Sequence, residues 1–135
     1  MTTHDDRLRL GRTGTATLTV ADEHTAPRLG SGSAPVLATP AMVALMEAAA
    51  VACVKDDLAQ GRETLGVHVD VEHIAPTPVG LKVTATAELI ERKGRRLVFK
   101  VEARDDREPI GRGRHTRVIV DSARFRAKAR AKQQE

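Results

Sequence analysis

The sequence predicts an α+β fold in which one long buried helix packs against an antiparallel sheet of about five strands. Three observations carry this. Between residues 41 and 54 the only ionisable group besides the thiol of Cys53 is Glu47, the signature of a helix covered on most sides. From Leu65 onward, apolar residues recur at every second position in successive stretches separated by turn residues, as in half-buried strands. No internal repeat or linker interrupts the 135 residues, so a single domain spans 1–135, with 1–12 and 122–135 expected to be peripheral or flexible.

Taken in order, Thr15-Ala16-Thr17-Leu18-Thr19-Val20 alternates small or polar with apolar residues and forms the first strand. Residues 21–38 contain Pro27, Gly30, Ser31, Gly32, Ser33 and Pro35 without periodicity and read as a long loop, a type that often carries binding function. The helix then runs from Pro40 to about Leu58 or Ala59. Thr39 is its expected N-cap, Pro40 suits the first helical position, and Gly61 is the expected C-cap. In the second strand, Leu65, Val67, Val69 and Val71 form one face, with His68, Asp70 and Glu72 on the other. His73 continues the apolar face and is directed at the helix.

Leu81, Val83, Ala85, Ala87 and Leu89 mark the inner face of a third strand over 81–92, and Lys93-Gly94 reads as a hairpin turn. Leu97, Phe99, Val101 and Ala103 mark the fourth strand over 95–104. The fifth, over 110–120, is less regular, with Gly111 and Gly113 leaving room for close backbone approach or a bulge. A basic, Ala-rich helix or a disordered tail follows. One sheet leaves part of an all-round apolar helix bare, so a second copy is expected to close the core in a homodimer.

Composition narrows the function. The chain has no Trp or Tyr and two Phe, leaving little for stacking on nucleobases. The net charge of +4 includes a basic C-terminal run, Arg124, Arg126, Lys128, Arg130 and Lys132, which reads as a solvated tail and not as a nucleic-acid site. The single Cys53 excludes an internal disulfide and a Cys-cluster metal site. No window approaches the roughly 20 apolar residues of a spanning helix, and the expected location is the cytoplasm, away from membranes. His68 and His73 point to opposite faces, which argues against shared metal ligation, and dinucleotide, phosphate-loop and nucleophile-elbow motifs are absent.

Two residues stand out chemically. Glu47 is the lone acid of the helix and His73 the lone ionisable group on the inner face of its strand, which makes them an acid/base candidate pair. The competing reading is a Glu–His hydrogen bond that only fixes packing. Thr39 is explained as a cap, yet a hydroxyl beside free amides at a helix N-terminus can also receive an anionic group. In a regular helix Thr39 and Glu47 lie about 12 Å apart along the axis, so a substrate, His73 or a partner subunit must span the gap.

Several stretches together resemble one family. They are Val36-Leu37-Ala38-Thr39, Met42-Val43-Ala44-Leu45-Met46-Glu47, Leu65-Gly66, residues 73–80 (His-Ile-Ala-Pro-Thr-Pro-Val-Gly), Gly94-Arg95-Arg96-Leu97, and Ile110-Gly111-x-Gly113-x-His115-x-Arg117. In this order and spacing the chain resembles the hotdog-fold fluoroacetyl-CoA thioesterases over roughly residues 15–128. The resemblance implies a dimer with active sites at the interface, acyl-CoA thioesters as substrates, and no cofactor beyond the coenzyme A of the substrate. It assigns Thr39, Glu47 and His73 to catalytic positions, Gly66 to a glycine whose backbone lies near the acyl group, and Arg117 to an arginine beside the acyl pocket. The fluoroacetyl-specific member carries phenylalanines in the loop before the helix, where this chain has Gly30, Ser31, Gly32 and Ser33. The resemblance therefore extends to thioester hydrolysis and not to selection of the fluorinated acyl group. The alternatives are a hotdog dehydratase or hydratase, for which the Asp-x-x-x-x-His helix motif is missing, and a non-catalytic acyl-CoA-binding module.

Overall fold

A computed structural model describes residues 8–134. Its strands are β1 (Thr13–Thr19), β2 (Arg62–His73), β3 (Lys82–Lys93), β4 (Arg96–Arg104) and β5 (Pro109–Asp121). Its helices are α1 (Ala26–Leu29), α2 (Thr39–Val54) and α3 (Ser122–Ala131). The strands form one antiparallel sheet in the order β1-β3-β4-β5-β2, with α2 packed across one face. Among the described residues no helix is long and apolar enough to cross a membrane.

The core is aliphatic, as the composition requires. Met42, Met46, Ala49, Ala50 and Cys53 of α2 meet Val83, Ala85, Ala87 and Leu89 of β3 and Leu97, Phe99, Val101 and Ala103 of β4. Both strands have the inner faces that their period of two predicted. Small residues set the helix height: a Cβ on Gly14 would run into the backbone of Ala49 and Cys53. The Cys53 thiol is buried, donating to the Arg12 carbonyl at 3.1 Å, and burial pushes its pKa up. Leu8 joins the core and Gly11 and Arg12 bond to Leu89, while residues 1–7 lie outside the described chain.

Four local expectations are corrected. The loop over 21–38 contains a 3-10 turn at Asp22–His24 and the short α1, tied down by Ala38 N–H donating to the His24 carbonyl at 2.9 Å. The helix ends at Val54, before a 3-10 turn at Lys55–Asp57, with Lys55 as its C-cap; Gly61, at φ 85°, serves the turn into β2. The helix N-cap is Ala38, making Thr39 the first helical residue. Finally, β2 carries a bulge at Val67, between Gly66 paired with Arg117 and His68 paired with Thr116. An extra residue reverses the alternation. Gly66 thus takes the helix side before the bulge in place of Leu65, whereas Val69, Val71 and His73 hold that side after it, opposite His115, Gly113 and Gly111.

Beyond β5, the basic segment is helical from Ser122 to Ala131, because the Asp121 side chain caps it by accepting from Arg124 N–H at 2.9 Å. Strand β2 is an edge of the sheet and exposes Val67 and Val69, and Val51 on α2 is also exposed.

The segment after His73 is pinned by Asp105. Its carboxylate accepts from the Thr77 hydroxyl at 2.9 Å and from Arg107 and Glu108 N–H at 2.7 and 3.0 Å, while the Thr77 carbonyl accepts from Leu37 N–H at 2.8 Å. This contact joins the β4–β5 turn to both chain segments that bear Thr39 and His73. Burial raises the Asp105 pKa, but the Arg107 N–H, the Thr77 hydroxyl, the Glu108 N–H and the Arg104 charge together bring it below the usual carboxylate range. Its contribution is therefore present above the unfolded-state pKa and lost as pH falls through the folded-state value. Asp105→Ala is expected to cost about 1–3 kcal/mol at neutral pH. In denaturant titrations the gap from wild type should narrow on acidification, whereas a pH-independent gap would contradict this role.

Candidate active site

Two polar clusters lie along α2. At its N-terminus, the Thr39 hydroxyl lies 2.8 Å from His73 Nδ1. The side chain expected to cap the helix meets the strand instead, because β2 ends opposite Gly111, which has no side chain to hold Met42 and the helix start away from the sheet. The other imidazole nitrogen, His73 Nε2, is buried with no hydrogen-bond partner. Burial lowers the His73 pKa, and the Ala75 backbone opposes it, so the ring favours its neutral, proton-accepting form. Beside the pair opens a cavity of about 460 Å³, with the loop residues Ser31, Gly32 and Ser33 on one side and Ile74 on the other. Its size is that of a small-ligand site.

Two turns along the helix, Glu47 forms the second cluster. Its side chain is 41% exposed, so it is not the fully buried lone acid expected from the sequence. Within one protomer its partner is not His73: Glu47 Oε2 accepts from Arg117 Nη1 at 3.2 Å and lies 3.7 Å from His115 Nε2. Arg117 is held by β2, donating from Nε to the Thr64 hydroxyl at 2.8 Å and from Nη2 to the Thr64 carbonyl at 2.9 Å. Burial lowers the Arg117 pKa while Glu47 raises it, and the guanidinium stays cationic. Gly66 forms the floor. A Cβ there would stand 2.5 Å from Glu47 Oε2 and 3.0 Å from His115 Cε1, so only glycine lets the carboxylate approach the strand.

The five residues singled out from the sequence thus fall into two groups, Thr39 with His73 and Glu47 with Gly66 and Arg117. Sequence reasoning gave no role to His115 or Thr64. The signal for His115 was the alternation Gly111, Gly113, His115, Arg117, which places all four on one face of β5. Among the described residues no group of three or more His, Cys, Asp or Glu side chains is arranged to hold a metal ion.

Comparison with known proteins gives a consistent picture. The family model of the fluoroacetyl-CoA-specific thioesterase FlK matches residues 20–123. The chain is 45% identical to the fluoroacetyl-CoA thioesterase of Streptantibioticus cattleyicolor over 97 residues, 72% of this chain and 70% of that one. A solved structure of FlK superposes with a TM-score of 0.87 at 37% identity, covering 95% of this chain and 98% of the other. A thioesterase-superfamily member from Thermus thermophilus superposes with a TM-score of 0.86 at 29% identity over 93% of each chain. At 23% identity, a hot-dog-like protein from Thermanaerovibrio acidaminovorans shares the fold, with a TM-score of 0.84. The five-stranded antiparallel sheet wrapped on one long helix is thus a hotdog fold, and the chain belongs to the fluoroacetyl-CoA-specific thioesterase family.

Proposed function

We propose that this protein is an acyl-CoA thioesterase that works as a homodimer, each active site combining Thr39 and His73 of one protomer with Glu47, Gly66 and Arg117 of its partner. The observation that carries this reading is the separation of the two clusters along one helix. Eight residues at 1.5 Å rise put Thr39 and Glu47 about 12 Å apart, too far to serve one carbonyl within a protomer. A two-fold axis at the exposed edge of β2 would run the two β2 strands antiparallel and bring the end of one, with His73, toward the Gly66 region of the other.

In this site the Thr39 hydroxyl and adjacent N-terminal amides of α2 orient and polarise the thioester carbonyl. Glu47 supplies the attack, either directly as a nucleophile or by taking a proton from water. The C–S bond breaks, coenzyme A leaves as the thiol after receiving a proton through neutral His73, and water ends as part of the carboxylic acid. The products are free acid and coenzyme A. No cofactor is needed, and the cytoplasm, where acyl-CoA is made and used, is the proposed location. The whole chain acts as one domain.

The small residues Ser31, Gly32 and Ser33 at the cavity beside Thr39 support acyl groups bulkier than fluoroacetyl. Ser33→Phe is expected to reduce kcat/KM for a branched acyl-CoA, relative to acetyl-CoA, by about tenfold or more. An unchanged ratio would place the acyl group elsewhere. The reading as a whole is tested by a thiol-release screen over short, branched, aromatic and long acyl-CoAs. Turnover of at least one class is expected, whereas binding without release would favour a non-catalytic module, and a change in unsaturation without release a hydratase.

A further inference from the structure

The Glu47 cluster holds a histidine that the catalytic scheme does not use. His115 is 1% exposed, with its ring centroid 6.4 Å from that of Phe99. Both of its nitrogens are engaged. Nδ1 lies 2.8 Å from the carbonyl oxygen of His68, just past the β2 bulge, and a carbonyl can only accept, so Nδ1 carries a proton. In the neutral ring Nε2 then offers a lone pair, which Arg117 Nη1 meets at 3.1 Å. The same Nη1 reaches Glu47 Oε2 at 3.2 Å. An Nη nitrogen has two hydrogens, one for each acceptor. With Nε and Nη2 already committed to Thr64, the planar guanidinium has its orientation fixed by three residues around it.

We infer that His115 is a positioning residue of the active site: as a neutral imidazole protonated on Nδ1 it accepts one Nη1 hydrogen of Arg117 and so directs the other at the Glu47 carboxylate. It also ties the bulge that faces Gly66 toward the helix to β5, through the His68 carbonyl. Adding a proton at Nε2 would replace the lone pair by a donor facing the Arg117 cation, and the guanidinium would turn away. The charged or titratable groups around the ring are Arg117 on its own strand, Glu47 from α2 and His68 from β2. Burial is the largest influence and lowers the His115 pKa, and Arg117 and His68 lower it too, against the His68 backbone bond and Glu47. The acceptor state therefore prevails at neutral pH and is lost only in acid.

The test uses the full chain with His115→Phe, which fills the space against Phe99 but offers no acceptor, and His115→Gln, which restores an acceptor oxygen. The turnover arm rests on the thioesterase reading. In His115→Phe, kcat should fall about ten- to a hundredfold, the scale of a misplaced catalytic group, with KM unchanged. His115→Gln should recover most of it, and the part of the acid limb due to His115 should vanish. Unchanged kcat in His115→Phe, or equal losses in both variants, would overturn the inference. A second arm needs no turnover. In NMR spectra of the wild type, the Arg117 Nη hydrogens should be resolved at neutral pH and merge as His115 titrates, and they should be merged at every pH in His115→Phe. Resolved signals that ignore His115 titration would overturn it equally. Absence of turnover in the wild type would count against the thioesterase reading and leave this second arm to decide the role of His115.

Discussion

Glu47→Gln is expected to lower kcat for thioester hydrolysis about 10²–10⁴-fold, the range for loss of a positioned acid/base group. The substitution keeps the shape and an acceptor oxygen for Arg117 Nη1 but removes the charge and the basicity. Because the Glu47 side chain is 41% exposed in the protomer and Arg117 retains Thr64 and His115 as partners, the fold should tolerate it. Thermal unfolding and the oligomer mass should match wild type, so the activity loss reads chemistry and not collapse. Near-full activity would remove Glu47 from the mechanism.

The second large effect is at the helix start. Thr39→Val and His73→Ala should each lower kcat about 10²–10³-fold, as for loss of a group that binds the developing oxyanion or carries its proton. Thr39→Val also separates two roles. Loss of a capping side chain costs about 1 kcal/mol. Here Ala38 is the N-cap and the Thr39 hydroxyl is turned to His73 at 2.8 Å, so the activity should fall with little loss of stability. A stability loss with activity retained would return Thr39 to the capping role its sequence position suggests. The pH profile carries a sign as well. Burial lowers the His73 pKa, so its neutral form is available through neutral pH, and the acid limb it causes should lie below the usual imidazole range.

Strands β3 and β4 were legible from sequence because each has one buried face, so a period of two shows directly in Val83, Ala85, Ala87 and Leu89 and in Leu97, Phe99, Val101 and Ala103. The helix was legible from its apolar run, but its last turn was not, since Lys55, Asp56 and Asp57 fit a fraying helix as well as the 3-10 turn they form. The β2 facing misled for a definite reason. Val67 continues the alternation of Leu65, Val69 and Val71, and nothing local marks it as the bulge that puts Gly66 on the helix side. At the site, the chemistry-bearing residues could be picked out but not paired. Glu47 stands out by its setting, whereas its partner Arg117 is 70 residues away and reaches it through a register set by that bulge. Likewise Thr39 looks like a cap until the fold delivers His73, 34 residues later in the chain, to its hydroxyl.

The central claim, a thioester site shared between protomers, is tested most directly by subunit mixing. Glu47→Gln and His73→Ala chains, each nearly inactive as a homodimer, are co-refolded at equal amounts and assayed for thiol release. If Thr39 and His73 of one protomer work with Glu47 of the other, each mixed dimer contains one site with all three residues intact, and random pairing should restore activity to about one quarter of the wild-type level. Activity that stays at the level of the separate variants, in a sample shown by mass to contain mixed dimers, would contradict the shared site.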